Sequence, residues 1–561
     1  MELVDSLVRC GLITQTQLTQ AESRGGDLLS QLVQSGAVDH QTALKTMAQE
    51  VGVEYVDLRE AEIDLSLLDA FPQKIIYRQV LFPISQENGT IVIATSDPLN
   101  FYPLDEISAA TGLAVEPVLA ERSVIAKLIK NHLGVGGETI EGLIEQKIDE
   151  GVELLSEIET DGSELSEMAQ EASVVRLVNE ILIEAVESRT SDVHIESQQD
   201  GIVIRNRIDG ILHTQPVPAE INHFRAAIIS RLKIMANLNI AEKRLPQDGR
   251  IKIRVKGREV DVRMSVIPMI HGESLVMRIL DKGSMKFELK ALGMSEQTYS
   301  EFSELIKIPH GIILVTGPTG SGKTTTLYSS LIEINDPTTK IITTEDPVEY
   351  QLAGINQIQV HSKIGLTFAH SLRSILRHDP DVVLVGEIRD LETAENAIQA
   401  SLTGHLVFST LHTNDAAGAF TRMGDMGVEA FLVASTVEAI MAQRLLRRLC
   451  PSCRKANDPK PEDLPEDFPF EKLKGKQIYE AVGCRECRNV GYRGRVGIYE
   501  LLITTNELRQ MAQERASTWE IKKAAIAGGM RTLRDDGWLK VIDGVTSVEE
   551  VQRMTKGDRR S

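Results

Sequence analysis

Hydrophobic positions in the first fifty residues recur at helical spacing and form a repeat. The segments LVDSLVRCGLI (3–13) and LLSQLVQSGAV (28–38) align with matching leucine, valine and glycine positions. Each copy predicts a helix that ends at a glycine, a turn with a polar cap at Thr14 or Asp39, and a second helix. Cys10 falls within the apolar pattern, so we expect its side chain to be buried. The pattern therefore predicts a small helical module.

The pattern becomes mixed after this module and then loses its apolar content. Residues 51–133 include a strand-like segment at 90–95 and a helix-like segment at 121–132. Together with the helical repeat of residues 1–50, they predict an N-terminal domain that ends at residue 133. Residues 134–172 are acidic, contain glycines and lack aromatic side chains, which is typical of a linker with some helix.

Alternating apolar and polar positions return from residue 173. The strand patterns are DVHIES, IVIRNRID, RIKIRVKG and REVDVRMSVIP, and the helix patterns are VVRLVNEILIEAVES and HFRAAIISRLKIMAN. Strands of this kind bury one face and leave the other polar. Residues 173–289 are therefore predicted to form a second α+β domain.

Fully apolar runs replace the alternation after residue 290, as expected for strands buried on both faces of a parallel sheet. They occur in GIILVT (311–316), KIITTEDPVEY (340–350), DVVLVGEIRD (381–390) and HLVFSTLHTND (405–415). Helix-compatible segments separate these runs. The pattern predicts an α/β domain over residues 290–561.

A complete phosphate-binding loop follows the first of these strands. The sequence GPTGSGKTT matches G-x-x-x-x-G-K-[ST] and lies between an apolar strand and a helix-compatible stretch. Glycines let backbone N–H groups approach a phosphate at the helix N-terminus. The expected nucleotide-binding residues are Gly317, Pro318, Thr319, Gly320, Ser321, Gly322, Lys323, Thr324 and Thr325, with Lys323 on the β- and γ-phosphates and the Thr324 hydroxyl on Mg²⁺.

Acidic residues end two of the other apolar strands. We expect the strand that ends at Glu345 to lie beside the strand leading into the loop, and Glu345 to activate the attacking water. On the next strand, Asp381 and Glu387 are six residues apart, or about 20 Å. Only one of them can lie at the phosphate edge, and the strand direction selects Glu387 as the second Mg²⁺ ligand beside Thr324.

A histidine follows the last of these strands. Because Thr410, His412 and Thr413 should all lie at the phosphate edge, His412 is expected to sense the γ-phosphate. A purely structural histidine at a strand end is the alternative.

Composition excludes several classes of protein. The net charge is −20 and the pI is about 5.2, which speaks against a non-specific nucleic-acid binder. No run approaches the length of a transmembrane helix, and the start MELVDSLVRC lacks the pattern of a signal peptide. We therefore expect a cytoplasmic protein that reaches the membrane only through partners.

Four of the five cysteines form two C-x-x-C pairs. Cys450 and Cys453 make the first pair, and Cys484 and Cys487 the second. In a cytosolic chain this spacing indicates a four-sulfur zinc site rather than disulfides. A redox C-x-x-C is the alternative, but one motif would suffice for that chemistry. The zinc-binding insert is predicted to span about residues 447–495.

The nucleotide-binding motifs together resemble those of the secretion ATPase superfamily. GPTGSGKTTTLYSSL, IITTEDPVEY, LRHDPDVVLVGEIRD and TGHLVFSTLHTNDA are similar, in order and spacing, to its Walker A, aspartate-box, Walker B and histidine-box motifs. SDVHIES, RLPQDGRI, HGESLVMRIL, QRLLRRLCPSC and GYRGRVGIYELL extend the resemblance over residues 173–561. Among the members of this superfamily, the chain resembles the type II secretion ATPase and the type IV pilus assembly ATPase.

This resemblance implies a homo-hexamer of RecA-like P-loop ATPase domains that uses ATP and Mg²⁺, each preceded by an α+β domain of PAS-like type at residues 173–289. In the family, arginines of the preceding domain complete the phosphate site, and the matching positions here are Arg263 and Arg278. If RMSVIPMIHGESLVMR forms a hairpin that turns at residues 270–271, these two arginines face each other across its strands. Their planar guanidinium groups suit a triphosphate.

The N-terminal repeat resembles a module that binds cyclic di-GMP in some pilus ATPases. The Arg-Leu-Gly signature of that module is replaced here by Glu2-Leu3-Val4 and Asp27-Leu28-Leu29. Residues 1–133 are therefore expected to dock on the cytoplasmic part of an inner-membrane platform, with cyclic di-GMP binding as the alternative.

The motifs favour a motor that hydrolyses ATP to assemble a pseudopilus for type II secretion, or a type IV pilus. The acidic net charge and the cysteine insert speak against a DNA-transfer ATPase. A nucleotide-controlled switch would not need the complete set of hydrolytic residues, namely Glu345, Glu387 and the paired arginines. The altered signature of the N-terminal repeat speaks against a second-messenger receptor.

Overall fold

The protein consists of two compact units, Met1–Gly283 and Ser284–Ser561. The computed structural model describes residues 5–24, 28–71, 75–76, 79–87, 89–133, 152–154, 172–217, 219–281 and 287–555. Within these ranges, no helix combines the length and the apolar content needed to cross a bilayer.

Four short helices form the predicted repeat. They are α1 (Asp5–Arg9), α2 (Gln15–Arg24), α3 (Leu28–Gln34) and α4 (His40–Val51). Gly11 and Gly36 have φ angles of 74° and 71° in the turns after α1 and α3, as a left-handed C-terminal position requires. The Asp39 side chain caps α4 by accepting a hydrogen bond from the Thr42 N–H. The order of helix, glycine, polar cap and helix is confirmed.

The expectation that Cys10 is buried was wrong. Cys10 is exposed, and its Sγ lies 3.6 Å from the Glu50 carboxylate. It follows the last residue of α1, in the turn before Gly11, and so does not share the buried face on which Leu7 lies. Apolar periodicity therefore overestimated the length of this helix.

A small α/β layer follows the repeat. Its strands are β1 (Glu54–Tyr55), β2 (Phe82–Glu87), β3 (Thr90–Thr95) and β4 (Ala114–Leu119), and its helices are α5 (Leu67–Ala70), α6 (Phe101–Thr111) and α7 (Arg122–Leu133). The sheet order is β1-β4-β3-β2, with β2 antiparallel to β3 and the other pairs parallel. The strand and the helix predicted in this region are both present.

The predicted linker, 134–172, lies almost entirely outside the described residues. One part of it is ordered into secondary structure: β5 (Val152–Leu154) pairs antiparallel with the sheet of the second α+β layer. The segment therefore contributes an edge strand, which its acidic composition did not indicate.

The second α+β layer is a seven-stranded antiparallel sheet covered on one face by two helices. Its other elements are α8 (Ala172–Glu187), β6 (Thr190–Gln198), β7 (Gly201–Ile208), β8 (Ile211–Gln215), α9 (Arg225–Met235), β9 (Gln247–Val255), β10 (Arg258–Met269) and β11 (Gly272–Asp281). The strand order is β5-β9-β10-β11-β6-β7-β8. Alternate residues of β10, such as Val262 and Met264, are buried with Leu232 of α9 in one core, so the intervening residues lie on the polar face.

The second unit is built on a seven-stranded sheet in the order β14-β13-β15-β16-β12-β17-β20. The strands are β12 (Gly311–Thr316), β13 (Ile341–Glu345), β14 (Asn356–Gln359), β15 (Val382–Val385), β16 (Leu406–Leu411), β17 (Val437–Leu449) and β20 (Tyr492–Ile503). All neighbouring strands are parallel except β17 and β20.

Helices cover both faces of this sheet. They are α10 (Glu296–Leu305), α11 (Lys323–Glu333), α12 (Phe368–Ile375), α13 (Leu391–Leu402), α14 (Gly418–Asp425), α15 (Ala430–Thr436), α16 (Asn506–Gln513), α17 (Thr518–Ala527), α18 (Leu533–Ile542) and α19 (Val548–Met554). Along β12, Ile312 and Leu314 belong to one core, and Ile313 and Val315 to the other. This alternation explains the unbroken apolar runs.

The strand order corrects one expectation. The strand that ends at Glu345, β13, is not beside β12, because β15 and β16 lie between them. Three strand spacings amount to roughly 14 Å. The chain forms β13 and β14 first and only then β15 and β16, which fill the positions between β13 and β12. The order of the strands along the sequence does not reveal their order in the sheet.

The cysteine-containing insert, residues 450–491, connects the end of β17 to the start of β20. It contains the two-stranded ribbon of β18 (Lys455–Asn457) and β19 (Ile478–Glu480). Arg447 and Arg495, the predicted limits of the insert, are paired residues of β17 and β20. The insert is therefore anchored on the antiparallel edge of the sheet.

Candidate active site

The glycine loop connects β12 to α11, as the sequence predicts. Gly317, Gly320 and Gly322 have φ angles of 146°, 78° and 91°, where a side chain would be strained. A Cβ atom on Gly317 would also approach the Gln443 carbonyl oxygen to 2.5 Å. Helix α11 begins at Lys323, so the loop ends at a helix N-terminus, where phosphate is favoured.

Lys323 lies inside the loop. Its Nζ donates hydrogen bonds to the carbonyl oxygens of Gly317 (2.8 Å) and Pro318 (3.1 Å). Burial lowers the pKa of Lys323, and the negative charge of Glu387 opposes this effect. A partly buried ammonium group with only neutral acceptors is stabilised by an incoming anion. The buried Ser321 hydroxyl, which has no partner among the described residues, is a further donor in this loop.

Gln443 packs directly against the glycine loop. No sequence motif indicated this role. This residue of β17 is 2% exposed, and its carboxamide oxygen accepts a hydrogen bond of 2.8 Å from the Thr326 hydroxyl on α11. A Cβ atom on Gly322 would lie 2.7 Å from its Nε2 atom. Gln443 thus requires glycine at two loop positions and fixes the first turn of the helix.

Glu345 is held by three hydrogen bonds at the end of β13. Its Oε1 accepts from the hydroxyl of Thr343 and, at 3.1 Å, from the amide of Gln357. Its Oε2 accepts from the hydroxyl of Tyr328, a residue of α11. Glu345 is 4% exposed. Although β12 and β13 are not neighbours, Tyr328 connects Glu345 to the helix that begins at the glycine loop.

Glu387 and His412 come together at the same edge of the sheet, as predicted. Glu387 lies two residues beyond β15, and the Nε2 of His412 is 3.5 Å from its carboxylate. Arg389 donates a second contact to Glu387, and this raises the pKa of the arginine. Asp381 lies at the opposite end of the strand, where it accepts a hydrogen bond of 2.7 Å from the Lys340 N–H. Asp381 and Glu387 therefore lie at opposite ends of the strand, as its length predicts, and the metal-binding role of Glu387 stays a prediction.

The two predicted arginines occupy a cross-strand row in the first unit. Arg263 of β10 pairs with Arg278 of β11 in the predicted hairpin, whose turn is at residues 270–271. The row continues to Asp192 of β6 and Arg207 of β7. The Asp192 carboxylate accepts a hydrogen bond of 3.0 Å from Arg278 Nε. This bond uses Nε, and the two terminal nitrogens of the guanidinium group carry further N–H donors. Sequence analysis missed Asp192, although it begins the quoted segment DVHIES.

The four cysteines of the insert form a compact cluster. Their sulfur atoms all lie within 4.8 Å of one another. The Sγ separations are 3.9 Å for Cys450 and Cys484, 3.7 Å for Cys453 and Cys487, and 3.7 Å for Cys484 and Cys487. The backbone N–H groups of Cys484 and Gly491 both donate to Cys487 Sγ. N–H donors that stabilise sulfur, together with this spacing, fit a metal–thiolate shell.

The N-terminal domain has a polar cleft of about 690 Å³ between its helical and α/β parts. Its acidic and basic lining residues are Asp39, His40, Asp57, Arg59, Glu60 and Glu121. Arg59 and His40 both contact Glu121. The cleft is therefore predominantly acidic. The positions that replace the Arg-Leu-Gly signature, Glu2–Val4 and Asp27–Leu29, lie mostly outside the described residues.

Comparison with known proteins agrees with this geometry. A family model described as Type II/IV secretion system protein matches residues 167–553, and a model described as the MshEN domain matches residues 51–139. The X-ray structure of the ATPase DotB from Legionella pneumophila has a TM-score of 0.51 at 21% identity, over 67% of this chain and 94% of that one. The likeness to DotB shows a shared fold over that part of the chain.

Two relatives match almost the whole chain. The type IV pilus assembly ATPase PilB of Myxococcus xanthus is 42% identical over 564 residues, 99% of this chain and 99% of the relative. The type II secretion system protein E of Xanthomonas campestris pv. campestris is 44% identical over 552 residues, 97% of this chain and 95% of the relative. The chain therefore belongs to the type II/IV secretion system protein family, together with these type II secretion and type IV pilus ATPase relatives.

Proposed function

We propose that this chain is a homo-hexameric motor that hydrolyses ATP to assemble a pseudopilus for type II protein secretion. As a member of its family, the chain is an ATPase. The observation that carries the proposal is the convergence of the glycine loop, Glu345, Glu387 and His412 on α11 and the carboxyl edge of one parallel sheet. That arrangement supplies a phosphate site, a metal ligand and a hydrolytic base.

Each residue has a proposed role in hydrolysis. The loop residues 317–325 hold the triphosphate, with Lys323 on the β- and γ-phosphates. Thr324 and Glu387 would bind Mg²⁺, whose positive charge would stabilise the negative charge that develops on the phosphates during hydrolysis. Glu345 accepts a proton from the attacking water. His412 senses the γ-phosphate through its contact with Glu387.

Arg263 and Arg278 are proposed to complete the phosphate site in the hexamer. Their adjacent positions in one cross-strand row allow both guanidinium groups to reach one triphosphate. Asp192 contributes by fixing Arg278 at Nε. Because two arginines on a stiff sheet cannot adjust independently, rotation of this layer would make or break both contacts together.

Zinc is the metal proposed for the cysteine cluster. Four sulfurs around zinc at 2.3 Å define tetrahedral edges of about 3.8 Å. Three of the six sulfur–sulfur separations are 3.7–3.9 Å, and all lie within 4.8 Å. Four protein ligands leave no position for water, so the role is structural. The ion would make the insert rigid for contact with a partner.

Type IV pilus assembly is the second candidate for the machine that this motor serves. It is favoured by the full-length match to PilB, whereas type II secretion is favoured by the equally long match to protein E. In either case we propose a cytoplasmic location, peripheral to the inner membrane through platform proteins that bind residues 1–133. An acidic cleft suits basic protein segments better than cyclic di-GMP, which is an anion.

Gene deletion distinguishes the two machines. We expect the deletion strain to lose secreted exoproteins while retaining pili, and to recover with the wild-type gene but not with Glu345→Gln, because Gln cannot accept the proton. Secreted protein and surface pili are scored in the same cultures. Loss of pili with normal secretion would select the pilus alternative, and a strain unchanged in both would refute the motor proposal.

The arginine proposal predicts a large effect of one substitution. Arg278→Gln should lower kcat by about 10³-fold, the size typical of an arginine that stabilises phosphoryl transfer. The matched control is Arg258→Gln on the same hairpin, where Arg258 forms an ion pair of 3.2 Å with Asp281. Steady-state ATPase rates of the full chain are compared at equal concentration. Equal rates for the two variants would contradict the role of Arg278.

The zinc proposal predicts one zinc ion per chain by elemental analysis. Cys484→Ser should lose the ion and the hexamer, while ATP affinity stays within about twofold, since distant sites act independently. Cys10→Ser is the control, because Cys10 is an exposed thiol outside the cluster. A zinc-free preparation that still assembles fully would exclude the structural role.

A further inference from the structure

We propose that Tyr328 is the positioning residue for Glu345, and that its hydroxyl aims one carboxylate oxygen at the attacking water. This inference rests on the proposed function of Glu345 as the hydrolytic base. It concerns a residue of α11 that lies outside the phosphate-binding residues 317–325, five positions after Lys323, and to which the sequence motifs assigned no role.

The distribution of hydrogen bonds identifies the oxygen that reacts. An ionised carboxylate has about four acceptor positions, two on each oxygen. Among the described residues, Oε1 of Glu345 accepts two hydrogen bonds, from Thr343 and Gln357, and Oε2 accepts one, from Tyr328. The remaining acceptor position is therefore on Oε2, the oxygen that Tyr328 orients.

The direction of the Tyr328 hydroxyl is fixed by its other neighbour. The backbone N–H of Glu349 donates to the Tyr328 oxygen at 3.3 Å, so the hydroxyl hydrogen is available to Glu345. Burial, reinforced by the charge of Glu345, raises the pKa of Tyr328, which keeps that hydrogen in place. Tyr328 is therefore a permanent donor to the carboxylate rather than a proton-transfer group.

Packing fixes the tyrosine ring itself. Tyr328 is fully buried, and its ring contacts Phe287 and Tyr350 edge-on, with centroid separations of 5.6 and 6.5 Å. Alternation along β13 places Thr343 and Glu345 on the face of the sheet that α11 covers, because Ile341 lies in the same core as Tyr328. Removal of the hydroxyl alone leaves this packing intact.

The geometry links two steps of the ATPase cycle. Lys323 and Tyr328 lie on one helix, with the phosphate site at its N-terminus and the hydrolytic carboxylate beside its middle. A helix moves as a rigid element over five residues. Any shift of α11 that accompanies phosphate binding therefore also moves the Tyr328 hydroxyl, which orients Oε2 of Glu345.

The test uses the full chain with Tyr328→Phe. We expect kcat to fall about tenfold, as when a hydrogen bond to a charged group is lost, with KM for ATP unchanged. Tyr299→Phe is the matched control, because its hydroxyl lies 3.5 Å from the Glu333 carboxylate, at the far end of the same helix. That control should retain the wild-type kcat, and thermal unfolding verifies that both variants are folded.

Glu345→Gln and the double variant separate this inference from the proposed function. Glu345→Gln alone should lower kcat by about 10²- to 10⁴-fold, and Tyr328→Phe should then add no further loss, since it acts through the same carboxylate. Wild-type kcat in Tyr328→Phe, a parallel rise in KM, or an additive double variant would overturn the positioning role. Wild-type kcat in Glu345→Gln would refute the proposed base, and the inference with it.

Discussion

The backbone register of the parallel strands is the constraint on which the active site depends. Strands β13, β15, β16 and β12 run in the same direction, so their carboxyl ends meet at one edge of the sheet. That edge receives Glu345, Glu387, His412 and the glycine loop from segments up to about a hundred residues apart in sequence. No local interaction could assemble them. The site is therefore a direct consequence of strand pairing.

Buried polar contacts then convert this common edge into a defined geometry. Gln443 fixes the first turn of α11 from one side, and Glu345 is fixed to the middle of that helix through Tyr328. Both contacts are buried, where an unmade hydrogen bond would be costly. They join two strands of the sheet, β17 and β13, to the helix that carries the phosphate site. A rigid α11 would thus transmit phosphate binding to the hydrolytic carboxylate.

Much of this arrangement was predictable because the relevant information is local. Strand length and direction separated Glu387 from Asp381, and hairpin symmetry placed Arg263 opposite Arg278. Strand order was not predictable in the same way, which is why β13 was wrongly placed beside β12. The contacts of Tyr328 depend on that order, so no pattern in the sequence could reveal them. The prediction that Cys10 is buried was wrong for a different reason: the apolar pattern continued past the end of a short helix.

The most direct measurement is a structure of the assembled chain with Mg²⁺ and a non-hydrolysable ATP analogue. We predict a hexamer in which Thr324 and Glu387 bind the metal, Arg263 and Arg278 contact the γ-phosphate, and a water lies between that phosphate and Oε2 of Glu345. A water held by another carboxylate, or a γ-phosphate contacted by neither arginine, would contradict the site proposed for this motor.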